Sequence, residues 1–90
     1  MQERKQELLK AISKVIKDNR KTSISRICNE IELSKSIWSE LEKGRKDIQL
    51  TTFWRIAEAY DIKPSNLLKQ IEETVGDNFS FIENTPAKNN

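Results

Sequence analysis

The chain has 90 residues, a third of them charged, with a net charge of +2, one cysteine (Cys28) and no histidine. That inventory excludes an intrachain disulfide and a zinc ligand set, and a chain of this length makes one compact domain. No apolar run approaches the ~18 residues of a membrane span, and the first residues, MQERKQE, lack the apolar core of a secretory signal, so a cytoplasmic location is expected.

The charge is unevenly spread. Residues 1–46 hold 12 Lys/Arg against 7 Asp/Glu, and residues 47–90 hold 4 against 7, so the halves carry +5 and −3. A basic half is suited to a polyanion, although a solvated surface produces the same asymmetry.

Apolar spacing predicts five short helices and no strand, an all-α domain. The first covers Glu3–Asn19, with Leu8, Leu9, Ile12, Val15 and Ile16 at helical intervals. The run NRKTS breaks the pattern. Ile24, Ile27, Cys28 and Ile31 then define a second helix with Ser23 as N-cap. After a tight turn at Glu32-Leu33, Ser34 caps a third helix that runs to about Lys43 and is closed by Gly44 in left-handed geometry. Thr51–Tyr60 forms the fourth, with Phe53, Ile56, Ala57 and Tyr60 on one face. The fifth starts at Pro64, whose fixed φ suits a first helical position, carries Leu67, Leu68, Ile71 and Val75, and ends at Gly76. The division expected is a domain over 1–75 and a tail over 76–90, its last eight residues disordered.

The third helix has two faces. Trp38 and Leu41 point one way with Ser34 beside them; Ser36, Ser39, Glu40 and Lys43 point the other, flanked by Lys35. Trp38 is therefore the buried anchor of a helix whose outer face is polar and thin enough to press against a partner. Two short helices joined by a tight turn have the layout of a helix-turn-helix unit, whose second helix enters the DNA major groove.

The stretch WSELEKGRKDIQLTTFWRIAEAYDIKPSNLL resembles the phage repressor and Cro-like helix-turn-helix family, also called the XRE family. The likeness extends from about Lys17 to Leu68, with Glu42, Gly44 and Ala57 on typical positions. It implies a five-helix lambda-repressor-like fold and a sequence-specific DNA-binding regulator, repressor-like and dimeric, inserting helix 34–43 into the major groove. It places Lys35, Ser36, Ser39 and Glu40 at base-facing positions. Lysine donates to guanine O6 and N7, serine donates or accepts, and glutamate accepts from the cytosine amino group. Ser34, Lys43, Arg45, Lys46 and Lys21 suit phosphates, with Arg20 able to reach the same backbone. Family position also suggests that Glu42 pairs with Lys17.

The sequence departs from the family at four places. Glu32 and Asp61 stand where turn glycines are usual, and a non-glycine residue with positive φ costs about 1 kcal/mol, less for Asp. Ile24 replaces a glutamine that touches phosphate. Cys28 replaces a small residue and is read as packing.

Trp54 is assigned to the core, with a cover over the edge of the fifth helix or an interface as the alternatives. A dimer interface is expected along Leu68, Ile71, Val75, Phe79 and Phe81, with Phe79 and Phe81 alternating as in a short strand that pairs between two tails; a tail folded back on its own core is the alternative. The rival function is a protein-interaction module on the same fold, favoured by the low net charge, the missing glutamine and Glu40. An enzyme is not expected, since the chain has no histidine and no glycine-rich phosphate loop. Neither a cofactor nor a small-molecule ligand is expected.

Overall fold

The computed structural model describes residues 2–82. It contains five helices, α1 (Gln2–Asn19), α2 (Ile24–Ile31), α3 (Lys35–Glu42), α4 (Leu50–Ala59) and α5 (Pro64–Val75), and no strand among the described residues. The expected disorder of the last eight residues lies outside the described residues. Among the described residues, no helix is long and apolar enough to cross a membrane.

Local chemistry sets the helix starts. Ser23 Oγ accepts from the Arg26 N–H at 3.1 Å and Ser34 Oγ from the Ile37 N–H at 3.2 Å, so each serine satisfies an amide the helix cannot. Pro64 occupies the first position of α5, where its missing N–H costs nothing. The fourth helix starts one residue earlier than expected, at Leu50; Gln49 stands at its cap position and makes no side-chain bond to it.

Three helix ends use one backbone device. After α3, Gly44 adopts φ 72°, its N–H bonds to Leu41 O at 3.1 Å, and the Arg45 N–H reaches back to Glu40 O at 3.0 Å. After α4, Asp61 adopts φ 60° and the Ile62 N–H bonds to Ala57 O at 2.9 Å. After α2, Glu32 adopts φ 57° and the Leu33 N–H bonds to Cys28 O at 3.0 Å. The two turns that lack glycine thus keep the left-handed shape and carry its strain, rather than finding another route.

One core joins all five helices. Val15 and Ile16 of α1, Ile27 and Ile31 of α2, Trp38 and Leu41 of α3, Phe53, Ile56 and Ala57 of α4, and Leu67 and Ile71 of α5 are buried together. Polar ties reinforce it: the Tyr60 hydroxyl donates to Ile16 O at 2.7 Å, Arg55 to Ile31 O at 2.9 Å, and Asn19 to Gln70 Oε1 at 2.8 Å. Burial pushes the Tyr60 phenol well above its ordinary range, reinforced by Glu42 and opposed by Arg20.

Three packing expectations are corrected. Trp54 is 50% exposed, because it lies on the flank of α4 beside the core face of Phe53 and Ala57. Ile71 is 3% exposed and belongs to the core, so it offers no dimer edge; Val75 is half-buried against the same core. Over the described residues beyond Gly76, 77–82, the chain turns, with the Phe79 N–H on Gly76 O at 3.3 Å, and forms no strand. Phe79 and Phe81 meet edge to face at 5.4 Å, and Arg4 of α1 donates to Ser80 O. The described part of the tail therefore folds back toward α1. Leu68, at 51% exposure, remains open on α5.

Candidate nucleic-acid interface

The α2–turn–α3 unit positions the site. Three residues, Glu32 to Ser34, separate the two helices. Trp38 is fully buried and Leu41 nearly so, which fixes the rotation of α3 about its axis. The opposite face then turns outward: Lys35 and Ser36 are exposed, and Ser39 and Glu40 are half-exposed. Ile37, on the flank of this face, lines an apolar groove of about 430 Å³ with Leu33, Leu41, Ile48 and Thr52.

Glu42 locks the C-terminal end of α3. Its Oε2 accepts from Trp38 Nε1 at 2.8 Å and from Arg20 Nε at 2.7 Å, and Arg20 Nη2 approaches Oε1 at 3.4 Å. Arg20 Nη1 also donates to Thr22 O at 2.8 Å. The hydrogen bond to Glu42 raises the Arg20 pKa despite opposing desolvation. The partner of Glu42 is therefore Arg20 and not Lys17. Arg20 sits just past the end of α1, with its planar fork turned in to the carboxylate, while Lys17 is exposed one turn earlier. This employment also withdraws Arg20 from the expected phosphate set.

Lys43, Arg45 and Lys46 are exposed around Gly44, and Lys21 is exposed ahead of α2. A Cβ on Gly44 would stand 3.4 Å from Ser13 Oγ and 3.5 Å from Leu9 O and Lys10 Cα. The loop leaving α3 thus rests directly on α1, and glycine permits both the approach and the positive φ. Ser34 Oγ serves its own helix as cap and lies 3.3 Å from Ser36 Oγ.

Cys28 is buried, and its thiol lies 3.9 Å from Ser34 O. Burial pushes the thiol pKa up, with Lys35 opposing and Glu42 assisting. A raised pKa and an inward position give a packing residue rather than a reactive thiol. No group of side chains able to hold a metal occurs among the described residues.

Comparison with known protein families matches residues 11–73 to the Cro/C1-type helix-turn-helix DNA-binding domain. The chain belongs to that family. The match spans well over half of the chain, from the middle of α1 into α5, and so includes the whole α2–α3 unit. No curated protein and no solved structure matches the chain. The Cro/C1-type domain accounts for the architecture: all five helices share one core, and α3 turns its polar face outward from it.

Proposed function

We propose that the protein is a sequence-specific DNA-binding regulator of the repressor and Cro type, with α3 entering the major groove. The observation that carries this reading is the outward face of α3. Lys35, Ser36, Ser39 and Glu40 are accessible on a helix whose opposite side is pinned by Trp38, Leu41 and Glu42. A base-reading helix must hold its donors and acceptors in fixed register, and the buried indole supplies that rigidity.

In this reading Lys35, Ser36, Ser39 and Glu40 read base edges. Lys43, Arg45 and Lys46 at the α3 exit, with Lys21 and Ser34 before it, hold phosphates and set the register. The carboxylate of Glu40 repels phosphate while accepting from cytosine, which weakens non-specific binding relative to specific binding. Residues 1–75 act as the DNA-binding domain and 76–90 as an appendage to it.

A helix of eight residues reads only a half-site, so a homodimer on a two-fold operator is the working form. Leu68 stays available for that contact. Leu50, 69% exposed, and Trp54 add apolar surface one turn apart on α4. That same surface supports the second reading, a protein-interaction module on the same fold.

Selection of binding sites from random-sequence duplex DNA, followed by a gel shift, separates the two. A DNA-binding regulator yields an enriched motif with two-fold symmetry. An interaction module yields no enrichment. Sedimentation of the free chain at concentrations above those saturating DNA tests the dimer, and a strictly monomeric species contradicts it.

A further inference from the structure

We propose that the phosphate-contacting surface continues past the α3 exit onto α1, where Lys10 takes a DNA phosphate. This rests on the DNA-binding reading above. The segment leaving α3 runs back along α1 in antiparallel fashion. Glu42 meets Arg20, Gly44 rests on Leu9, Lys10 and Ser13, and Asp47 pairs with Lys5 at 3.9 Å. The backbone of Lys10 therefore touches the loop that carries Lys43, Arg45 and Lys46.

Charge pairing singles out Lys10 among the α1 lysines. Lys5 is bound to Asp47 across the loop, and Lys14 to Asp18 at 2.7 Å on its own helix. Lys10 is exposed and has no carboxylate within ion-pair distance among the described residues. Glu3 and Glu7 border the same shallow surface, yet neither pairs with it. Lys17 is also unpaired but lies two turns further on, beside Arg20 rather than beside the loop. Lys43, Arg45 and Lys46 likewise lack a carboxylate partner among the described residues. Four cations without an ion-pair partner thus lie on two adjoining segments, and a polyanion supplies the counter-charge they lack. A lysine is a point charge on a flexible four-carbon stem, so it follows a phosphate without demanding fixed geometry.

The test is the salt dependence of DNA binding by the full chain. Wild type, Lys10→Gln, Lys14→Gln and the double variant Arg45→Ala/Lys46→Ala are titrated with a duplex over a range of salt concentrations. Glutamine keeps helix propensity, and circular dichroism checks that each variant keeps its helix content. Lys10→Gln should lower the slope of log K against log salt by about 0.9, the change expected when one phosphate is no longer neutralised. Lys14→Gln should leave it unchanged. An unchanged slope for Lys10→Gln alongside a reduced slope for the loop double variant overturns the inference and leaves the DNA reading intact. An equal fall for Lys14→Gln also overturns it, since long-range charge rather than a direct phosphate bond is then responsible. If the loop double variant too keeps the wild-type slope, the loop cations leave the phosphate set and this inference fails with them, while DNA binding stands; if no duplex binds at all, the DNA reading itself fails.

Discussion

Glu42 Oε2 receives two donors at once, Trp38 Nε1 at 2.8 Å and Arg20 Nε at 2.7 Å. One oxygen thereby ties the buried face of α3 to the segment just beyond α1. The side chains of Arg20 and Glu42 are 22% and 12% exposed, so the pair is largely but not wholly removed from water. Removing the cation leaves a carboxylate short of one partner. Arg20→Met is expected to destabilise the protein by about 2–3 kcal/mol, less than for a wholly buried pair because water still reaches both side chains. Lys17→Met should stay within about 0.5 kcal/mol of wild type, as for an ordinary surface change. Urea denaturation of both variants checks this; similar losses for the two would contradict the assignment.

Glu32 holds φ 57° in the turn between α2 and α3. Its N–H bonds to Cys28 O, so the strain to relieve is that of a side chain held on left-handed backbone. Glu32→Gly is expected to stabilise the fold by about 0.5–1 kcal/mol, the relief of left-handed strain less the added freedom of the unfolded chain. The denaturation midpoint should rise. A fall would mean that the glutamate side chain contributes something the turn geometry does not explain.

Tyr60 is the chain's one tyrosine, so its ionisation gives an unambiguous absorbance signal. Its hydroxyl donates to Ile16 O, and burial holds the phenol protonated well beyond its ordinary range. A folded pKa raised above the unfolded value of about 10 contributes stability that is complete below that pH and lost as pH rises beyond it. Stability should therefore fall from about pH 10 upward, and tyrosinate absorbance should appear together with unfolding rather than before it. Tyr60→Phe should lower stability at neutral pH and flatten this part of the alkaline limb. Tyrosinate forming near pH 10 in the folded protein would contradict the buried hydrogen bond.

The helix starts are legible in the sequence because they depend on chemistry within a few residues. Ser23, Ser34 and Pro64 each act on the turn that follows them, and each stands where expected. The left-handed turns at Glu32 and Asp61 are legible through the family resemblance, since neither residue by itself demands positive φ. The partner of Glu42 is not. Lys17 and Arg20 are both basic and three residues apart, and only the approach of α3 to α1 selects Arg20. Trp54 departs from its expected core position for a related reason: on a helix of ten residues, the flank of the apolar face is covered or open according to where neighbouring helices end. The depth of Ile71 depends likewise on how α5 lies across α1 and α4. For the α3 face, periodicity gives its direction, and the burial of Trp38 explains why that direction is fixed.

Base reading by α3 is the central claim, and paired affinities test it most directly. Wild type and the Lys35→Ala/Ser36→Ala variant are titrated at one salt concentration with the selected operator and with an unrelated duplex. Removing a good base-edge hydrogen bond should weaken operator binding by about 1–3 kcal/mol, with little change on the unrelated duplex. Equal losses on both duplexes, or none on either, would contradict the base-reading role of this helix.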